Sequence, residues 1–411
     1  LAQDQLSGLK ELLLKIPSLD TRIAPATYDG DTTSTSRPII RKKSRLIITN
    51  PDILHTGILP HHTRWESFFH GLTHIIIDEM HTYRGVFGSH FANTLRRLKR
   101  VMRFYGSAPQ FILTSATIGN PKELAEYLIK EKVTLIDDDG SARGEKHFII
   151  YNPPVIDKNL GIRAGLIQET QRLTEDLLTY KIQTLIFGRT RRTVEILLRS
   201  IKPYFRNQKG SSTVQAYRSG YLPKQRRAIE RGLREKSVRA VISTSALELG
   251  IDIGQMMAAV LAGFPGTISG TWQQVGRAGR GQETSVAVLV TSASPLDQFL
   301  ARHPDYFFDH SPEKAFINPD NLLILIGHLQ CALYELPFDK GDTFGDLSWD
   351  EISEIFEYLI DTGLIHASGS KLFWMSENFP AAEISLRSAS SNNIILQAVI
   401  DEKLITIGQV D

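Results

Sequence analysis

The sequence predicts an α/β protein in which two parallel-sheet domains are followed by a smaller, mostly helical module. Three observations carry that prediction. Short apolar runs alternate with helical patterns over most of the chain, the signature of βαβ units. The runs are continuous and β-branched rather than alternating, as in strands covered on both faces. After about residue 315 the alternation stops, and two helical patterns lead into a hairpin signal.

In chain order, Leu1 already stands inside a helical pattern, which suggests a fragment or a processed chain. Strands are expected in RLIITN (45–50), HIIIDE (74–79) and QFILTSAT (110–117). Between them, Phe91, Leu95, Leu98 and Met102 recur at three- and four-residue spacing, giving a helix over 91–103. Another helix is expected to open at Asn120-Pro121, with Asn120 as N-cap and Glu123 completing a cap-like signature. The polar stretch DDDGSARGEK (137–146) marks a domain boundary. Four more strands follow in QTLIFGRT (183–190), RAVISTSA (239–246), MMAAVLAG (256–263) and SVAVLVTS (285–292). NPDNLLILIGHLQCALYEL and SWDEISEIFEYLIDTG read as helices, the second with a capping box from Ser348 to Glu351. GLIHASGSKLFWM (363–375) gives two strands about Gly369-Ser370, so the module is expected to be a winged helix. The expected divisions are 1–144, 145–312, 313–390, and 391–411 as the start of a further region, where NNIILQAVI is strand-like.

At 411 residues, 42% hydrophobic and 22% charged, the composition is that of an ordinary globular chain. The net charge of +2 means that affinity for nucleic acid must come from local patches. A lone cysteine, Cys331, excludes an internal disulfide and a Cys-rich zinc site. No apolar stretch approaches the ~20 residues of a membrane span, and no signal peptide opens the chain.

Four stretches carry candidate chemistry. Asp78 and Glu79 end an apolar strand, on the sheet edge where open α/β folds place ligands, with His81 two positions on. Taken alone, such a strand can also simply end in solvated charges. Ser115-Ala116-Thr117 places hydroxyls at a second strand exit, a short pattern that chance also produces. In STSALELGIDIG (243–254), Gly250 and Gly254 flank Asp252, suiting either a nucleotide ribose or an ordinary glycine turn. In QQVGRAGRG (273–281), Arg277 and Arg280 share a helical face among three glycines, as a phosphate would require; the alternative is a solvated basic helix end. Together these suit a phosphoryl transfer in which Asp78 and Glu79 hold Mg²⁺ and orient a water, while Arg277 and Arg280 neutralise developing charge. Arginines supplied by a second domain would make catalysis depend on domain closure.

These motifs resemble a superfamily 2 helicase: DEMH its DExH box, SAT its motif III, STSALELGIDIG its motif V and QQVGRAGR its motif VI. LAQDQ resembles the end of motif Ia, and TNPDILH (49–55) motif Ib. HTYRGVFGSH, LTSATIGNP and GFPGTISGTWQQVGRAGR narrow the resemblance to the YprA-like (mitomycin repair factor A) branch, bacterial relatives of the Hrq helicases and distant cousins of RecQ. The resemblance implies two RecA-like domains, ATP and Mg²⁺ as cofactors, and a 3′→5′ DNA translocase linked to repair. It places such a protein in the cytoplasm at the nucleoid, with DNA and conceivably a repair protein as partners. It implies Asp78 for Mg²⁺–ATP and Glu79 for the attacking water. His81, Ser115 and Thr117 would couple ATP to DNA, Gly250 and Asp252 would lie by the nucleotide, and Gln273, Arg277 and Arg280 would meet the γ-phosphate. DNA contacts would fall on Gln3, Thr49, Asn50, Arg189, Thr190 and Thr244. Met80 departs from the alanine of a DEAH box without touching these roles.

Other departures weigh more. No GxxxxGK[ST] occurs, so the phosphate-cradling loop is not among these residues, and neither is the family's Cys-rich C-terminal region. The chain therefore reads as an internal fragment that would not hydrolyse ATP by itself. A non-catalytic nucleic-acid-binding module and an RNA helicase remain alternatives. A metal-dependent nuclease would leave Arg277 and Arg280 unexplained. Basic stretches at 37–45 and 218–239, and Arg96, Arg97, Arg100 and Arg103 on one helix, are candidate phosphate contacts or solvated faces. The acidic stretch 346–361 is expected to face solvent or a partner, and the aromatic residues show no base-stacking stripe.

Overall fold

The computed structural model describes residues 2–410 apart from 17, 18, 20, 21, 142, 143, 206–212, 219, 220, 222, 248–255, 280–282, 389–393, 401 and 402. Contacts divide the chain into two compact units, one made of 116–119 and 136–314, the other of 2–115, 120–135 and 315–411.

The first of these, the sheet unit, is built on six parallel strands. Their order across the sheet is Lys146–Tyr151, Ser285–Val290, Ala258–Ala262, Thr184–Gly188, Ala240–Ser243 and Val214–Tyr217. The three central strands are buried along their whole length, which is why their sequences are continuous apolar runs. Leu185, Val241, Ala259 and Leu261 point to one side of the sheet, and Ile186, Ile242 and Val260 to the other, so each face has its own core. Four strands were expected here. The edge strands Lys146–Tyr151 and Val214–Tyr217 and a small hairpin at Val155–Asp157 and Ile162–Arg163 were not. Lys146–Tyr151 alternates exposed and half-buried positions, so it lacks the continuous apolar run.

The other, the winged unit, holds the helix Gly85–Phe104, longer than predicted, and two short parallel pairs. Ala26–Thr27 pairs with Ile47–Ile48, and His74–Ile77 with Gln110–Leu113. Ile75–Ile77 were expected to be covered on both faces. Instead Ile76 is 64% and Ile112 41% exposed, because no described element packs over that face. The helix Pro121–Ile129 forms as predicted, but Asn120 does not cap it. Its amide instead donates to the Ala315 carbonyl at 3.0 Å and accepts from the Ala315 N–H at 2.8 Å, tying in the start of the helical module.

That module contains the helices Leu322–Glu335 and Trp349–Asp361, the latter with the predicted Ser348–Glu351 capping box. A three-stranded antiparallel sheet joins Phe338–Asp339, Lys371–Trp374 and Ile365–Ser368, the last two turning at Gly369 as expected. Leu329, Phe338, Ile352, Phe356 and Leu372 form its core. The backbone of Ile394–Ile400 and Lys403–Val410 then forms a separate antiparallel pair.

Candidate functional site

The acidic pair sits where the strand His74–Ile77 leaves its sheet. Asp78 is held at both carboxylate oxygens. Gln5 donates to Oδ2 at 2.5 Å, while the Thr114 hydroxyl (2.5 Å) and the Glu79 N–H (2.9 Å) donate to Oδ1. Thr114 lies on the neighbouring strand's exit, and its carbonyl accepts from Met80 N–H, so the loop after the strand is sewn to the adjacent one. Glu79 has φ +51°, a left-handed conformation uncommon for a side chain larger than glycine. Two bonds to its carbonyl, from the Thr82 N–H and hydroxyl, hold it there.

The Glu79 carboxylate faces His81 Nε2 at 3.5 Å. Burial, with Arg84 close by, lowers the His81 imidazole below its usual pKa despite the opposing pull of Asp78. A neutral imidazole makes no ion pair with the Glu79 carboxylate at that distance. Burial, with Asp78, Asp52 and Glu79 nearby, also pushes the Tyr83 phenol up to about 12. Among the described residues no group of three or more His, Cys, Asp and Glu side chains could hold a metal ion. The fixed Asp78 carboxylate has the chemistry of a ligand for a hard cation.

Gln3, Thr49 and Asn50 come together at the edge of the Ala26–Thr27/Ile47–Ile48 pair. Gln3 donates to the Thr27 hydroxyl at 3.1 Å, Thr49 to the Tyr28 carbonyl at 2.7 Å, and Asn50 Oδ1 accepts from Ile53 N–H at 2.9 Å. All three side chains are exposed. In the sheet unit, Arg189, Thr190 and Thr244 follow the adjacent strands Thr184–Gly188 and Ala240–Ser243 on their carboxyl edge. Thr190 caps the helix Arg191–Ile201 through Thr193 N–H at 3.1 Å.

Gln273 lies on the helix Ile268–Val275, whose first N–H groups, of Ile268 and Ser269, are held by the Glu313 carboxylate at 2.7 and 3.0 Å. Arg277 follows it and is buried. Gly279 has φ +71°, and a Cβ there would stand 2.1 Å from Ser285 Oγ, so the glycine is required. The Thr117 carbonyl accepts from the Ser269 hydroxyl at 2.7 Å; the Ser115 side chain is exposed. Gly250, Asp252 and Arg280 lie outside the described residues. Gln5, Thr114 and Glu313 were missed by sequence reasoning. Gln5 stands inside LAQDQ and Thr114 just before SAT, whereas Glu313 carries no local signal.

One expectation needs correction. Arg96, Arg97 and Arg100 do not present a basic face to phosphate. Arg97 is fully buried against Glu335; Arg96 pairs with Asp320 at 2.7 Å and Asp346 at 2.8 Å; Arg100 lies over the Phe338 ring at 3.5 Å. Only Arg103 of the four is exposed, because the helix face they share carries the winged-helix module. Gly345, at φ +70°, lets the backbone approach Arg96, whose Nε would lie 2.5 Å from an added Cβ. Asp346 is likewise paired within the chain, by Arg96 and Lys130, while the other acids of the stretch face solvent. Phe299, His303, Tyr306 and His310 form an exposed cluster, with the Phe299 ring centroid 4.7 Å from His303 and 5.4 Å from Tyr306, and Tyr306 4.2 Å from His310. Asp305 and Asp309 stand beside it and disfavour a phosphate strand there.

The parallel sheets and the helical module with its three-stranded sheet define the class by architecture: two RecA-like domains with a winged-helix domain appended. Residues 1–124 match the DEAD/DEAH box helicase family, 167–282 the helicase conserved C-terminal domain, and 317–389 the winged helix domain of the ATP-dependent helicase HRQ1. The chain's close homologues are the ATP-dependent helicases of the YprA/MrfA and Hrq1 type. It is 50% identical, over all of its length and 54% of the relative's, to the protein described as uncharacterized ATP-dependent helicase YprA of Bacillus subtilis (strain 168). It is 40% identical to the ATP-dependent helicase HRQ1 of Saccharomyces cerevisiae (strain ATCC 204508 / S288c), over all of this chain and 39% of that one. Among solved structures, the DUF1998 helicase MrfA bound to DNA matches with a TM-score of 0.89 at 50% identity, covering the whole chain and 54% of that protein. MrfA bound to DNA and AMPPNP matches at 0.88, covering 56% of it. The chain thus spans about half the length of these relatives or less.

Proposed function

We propose that this chain is the core of an ATP-dependent DNA helicase or translocase. The observation that carries the reading is Asp78, fixed at both oxygens at a strand exit beside Glu79, in a chain half identical throughout to a helicase solved with DNA and AMPPNP. When bound, Mg²⁺–ATP would supply the phosphoryl group and the charge that activates it. Asp78 would orient the metal, held in place by Gln5 and Thr114. Glu79, with its backbone fixed and His81 neutral, would accept the proton of an attacking water. Gln273, Arg277 and Arg280 would meet developing charge on the γ-phosphate. Gly250 and Asp252 would contact the nucleotide, and His81, Ser115 and Thr117 would couple it to the strand.

Gln3, Thr49 and Asn50 in one unit, and Arg189, Thr190 and Thr244 in the other, would hold a DNA backbone with hydroxyls, amides and one guanidinium. Such groups read no bases, so binding should be salt-dependent and indifferent to sequence. Movement 3′→5′ and a role in repair rest on the resemblance to the YprA-like branch. The test is DNA-stimulated ATP hydrolysis by the full gene product together with single-stranded DNA binding by this chain. Loss of neither activity on changing Glu79 and Thr49, respectively, would overturn the reading.

A further inference from the structure

Beside the Gln3–Thr49–Asn50 edge lies a pocket of about 390 Å³ that the motif resemblance does not assign. Its walls hold three guanidiniums, of Arg37, Arg41 and Arg64, together with His61 and an apolar floor that includes Tyr28 and Ile53. Arg37 and Arg41 are four residues apart on the helix Ser36–Lys43 and so share a face. No Asp or Glu lines the pocket, and among the described residues none of the three arginines has a carboxylate partner within 4.0 Å. Arg41 donates only to the Tyr28 hydroxyl at 3.3 Å, and Arg37 to the carbonyls of Thr32 at 3.1 Å and Asp29 at 3.5 Å. The neighbouring acid Asp52 is taken by Arg387 at 2.6 Å. Three like charges gathered without a counter-charge repel one another, and an anion relieves that repulsion.

Two features single out a nucleotide unit rather than a bare anion. The volume falls within the range of ligand clefts, roughly 300–1,000 Å³, and apolar wall accompanies the charge. The pocket is also continuous with the DNA edge: Thr49 donates to the carbonyl of Tyr28, and Asn50 accepts from the N–H of Ile53, both residues of the lining.

We propose that this pocket holds one nucleotide of the DNA strand that passes Thr49 and Asn50, with its phosphate on Arg41 and Arg64 and its sugar or base against Tyr28 and Ile53. The proposal rests on the DNA-binding reading above. The experiment measures binding of an oligothymidylate by this chain at several salt concentrations, for the wild type and for Arg41→Gln/Arg64→Gln, with thermal melting as a check on folding. Each lost phosphate contact should lower affinity roughly tenfold or less near 0.1 M salt and reduce the log–log salt slope by about one. The double variant should therefore bind more weakly by up to about a hundredfold, with a slope shallower by about two. Wild-type affinity and slope in a folded double variant would overturn the pocket while leaving the translocase reading intact. If that variant instead loses only binding of inorganic phosphate, the pocket serves a free anion and the strand assignment falls. Absence of DNA binding by the wild type would overturn both readings together.

Discussion

The guanidinium of Arg97 and the carboxylate of Glu335, 238 residues apart in sequence, form a fully buried ion pair that joins the long helix of the first helicase domain to the winged-helix module. Arg97 Nε reaches both carboxylate oxygens, at 3.1 and 3.2 Å, and Nη2 adds a further bond to Oε1. The remaining donors go to His55, at Nδ1 (2.5 Å) and at its carbonyl (3.2 Å), and to His328 Nδ1 (3.4 Å), so the whole fork is satisfied. The helix and the module are thereby fastened to each other.

Breaking one side of this pair should be costly. Arg97→Met leaves the Glu335 carboxylate buried without a counter-charge and should destabilise the winged unit by about 3–5 kcal/mol. Arg97→Met/Glu335→Leu, which removes both charges, should recover most of that loss. Denaturant unfolding of the three proteins checks this; a double variant no more stable than the single one would refute the pairing as the source.

Three buried histidines surround the pair and make stability depend on pH. His90 Nδ1 meets His328 Nε2 at 3.0 Å, and His90 Nε2 meets the Ser388 carbonyl at 2.8 Å. Burial first, then Arg97, lowers His55 to about 3, and burial lowers His90 and His328 as well. Unfolded, all three take up protons near pH 6.5. The unfolded state therefore binds more protons below that value, so stability is full above about pH 6.5 and is lost as the pH falls. Each suppressed proton should cost about 1.4 kcal/mol per pH unit below it. Calorimetric midpoints at about pH 7.5 and 5.5 should differ by several degrees; equal midpoints would show that the histidines are not held neutral.

Glu79→Gln in the full gene product should abolish ATP turnover while nucleotide binding persists, because an amide keeps the shape but cannot accept the proton. Base removal typically costs on the order of 10²-fold or more. Steady-state hydrolysis above about a tenth of the wild-type rate would exclude Glu79 from that role.

Gln5 and Thr114 should matter through Asp78. Gln5→Leu and Thr114→Val each remove a donor to a carboxylate, a bond worth about 1.5–3 kcal/mol. Hydrolysis by the full gene product should fall roughly 10- to 100-fold in kcat/KM, while affinity for single-stranded DNA stays within about twofold. Equal losses in hydrolysis and DNA binding would point to general unfolding of the edge instead.

The sequence by itself determined four of the six strands of the large sheet, the helices Pro121–Ile129 and Trp349–Asp361, the hairpin of the wing and the placing of Asp78 and Glu79 at a strand exit. These features are written in local periodicity, since Ile75–Ile77 or the Leu95–Leu98 spacing depends only on neighbours along the chain. Tertiary structure alone decided the fate of Arg96, Arg97 and Arg100. Guanidiniums spaced three and four apart look the same whether they face a phosphate or a carboxylate 238 residues away. It also brought Gln5 to Asp78 across 73 residues, and Tyr28, Arg41 and Arg64 to one pocket. Charge and hydrogen bonding act through space over a few ångströms, so their partners are chosen by the packing of distant segments and leave no periodic trace in the chain.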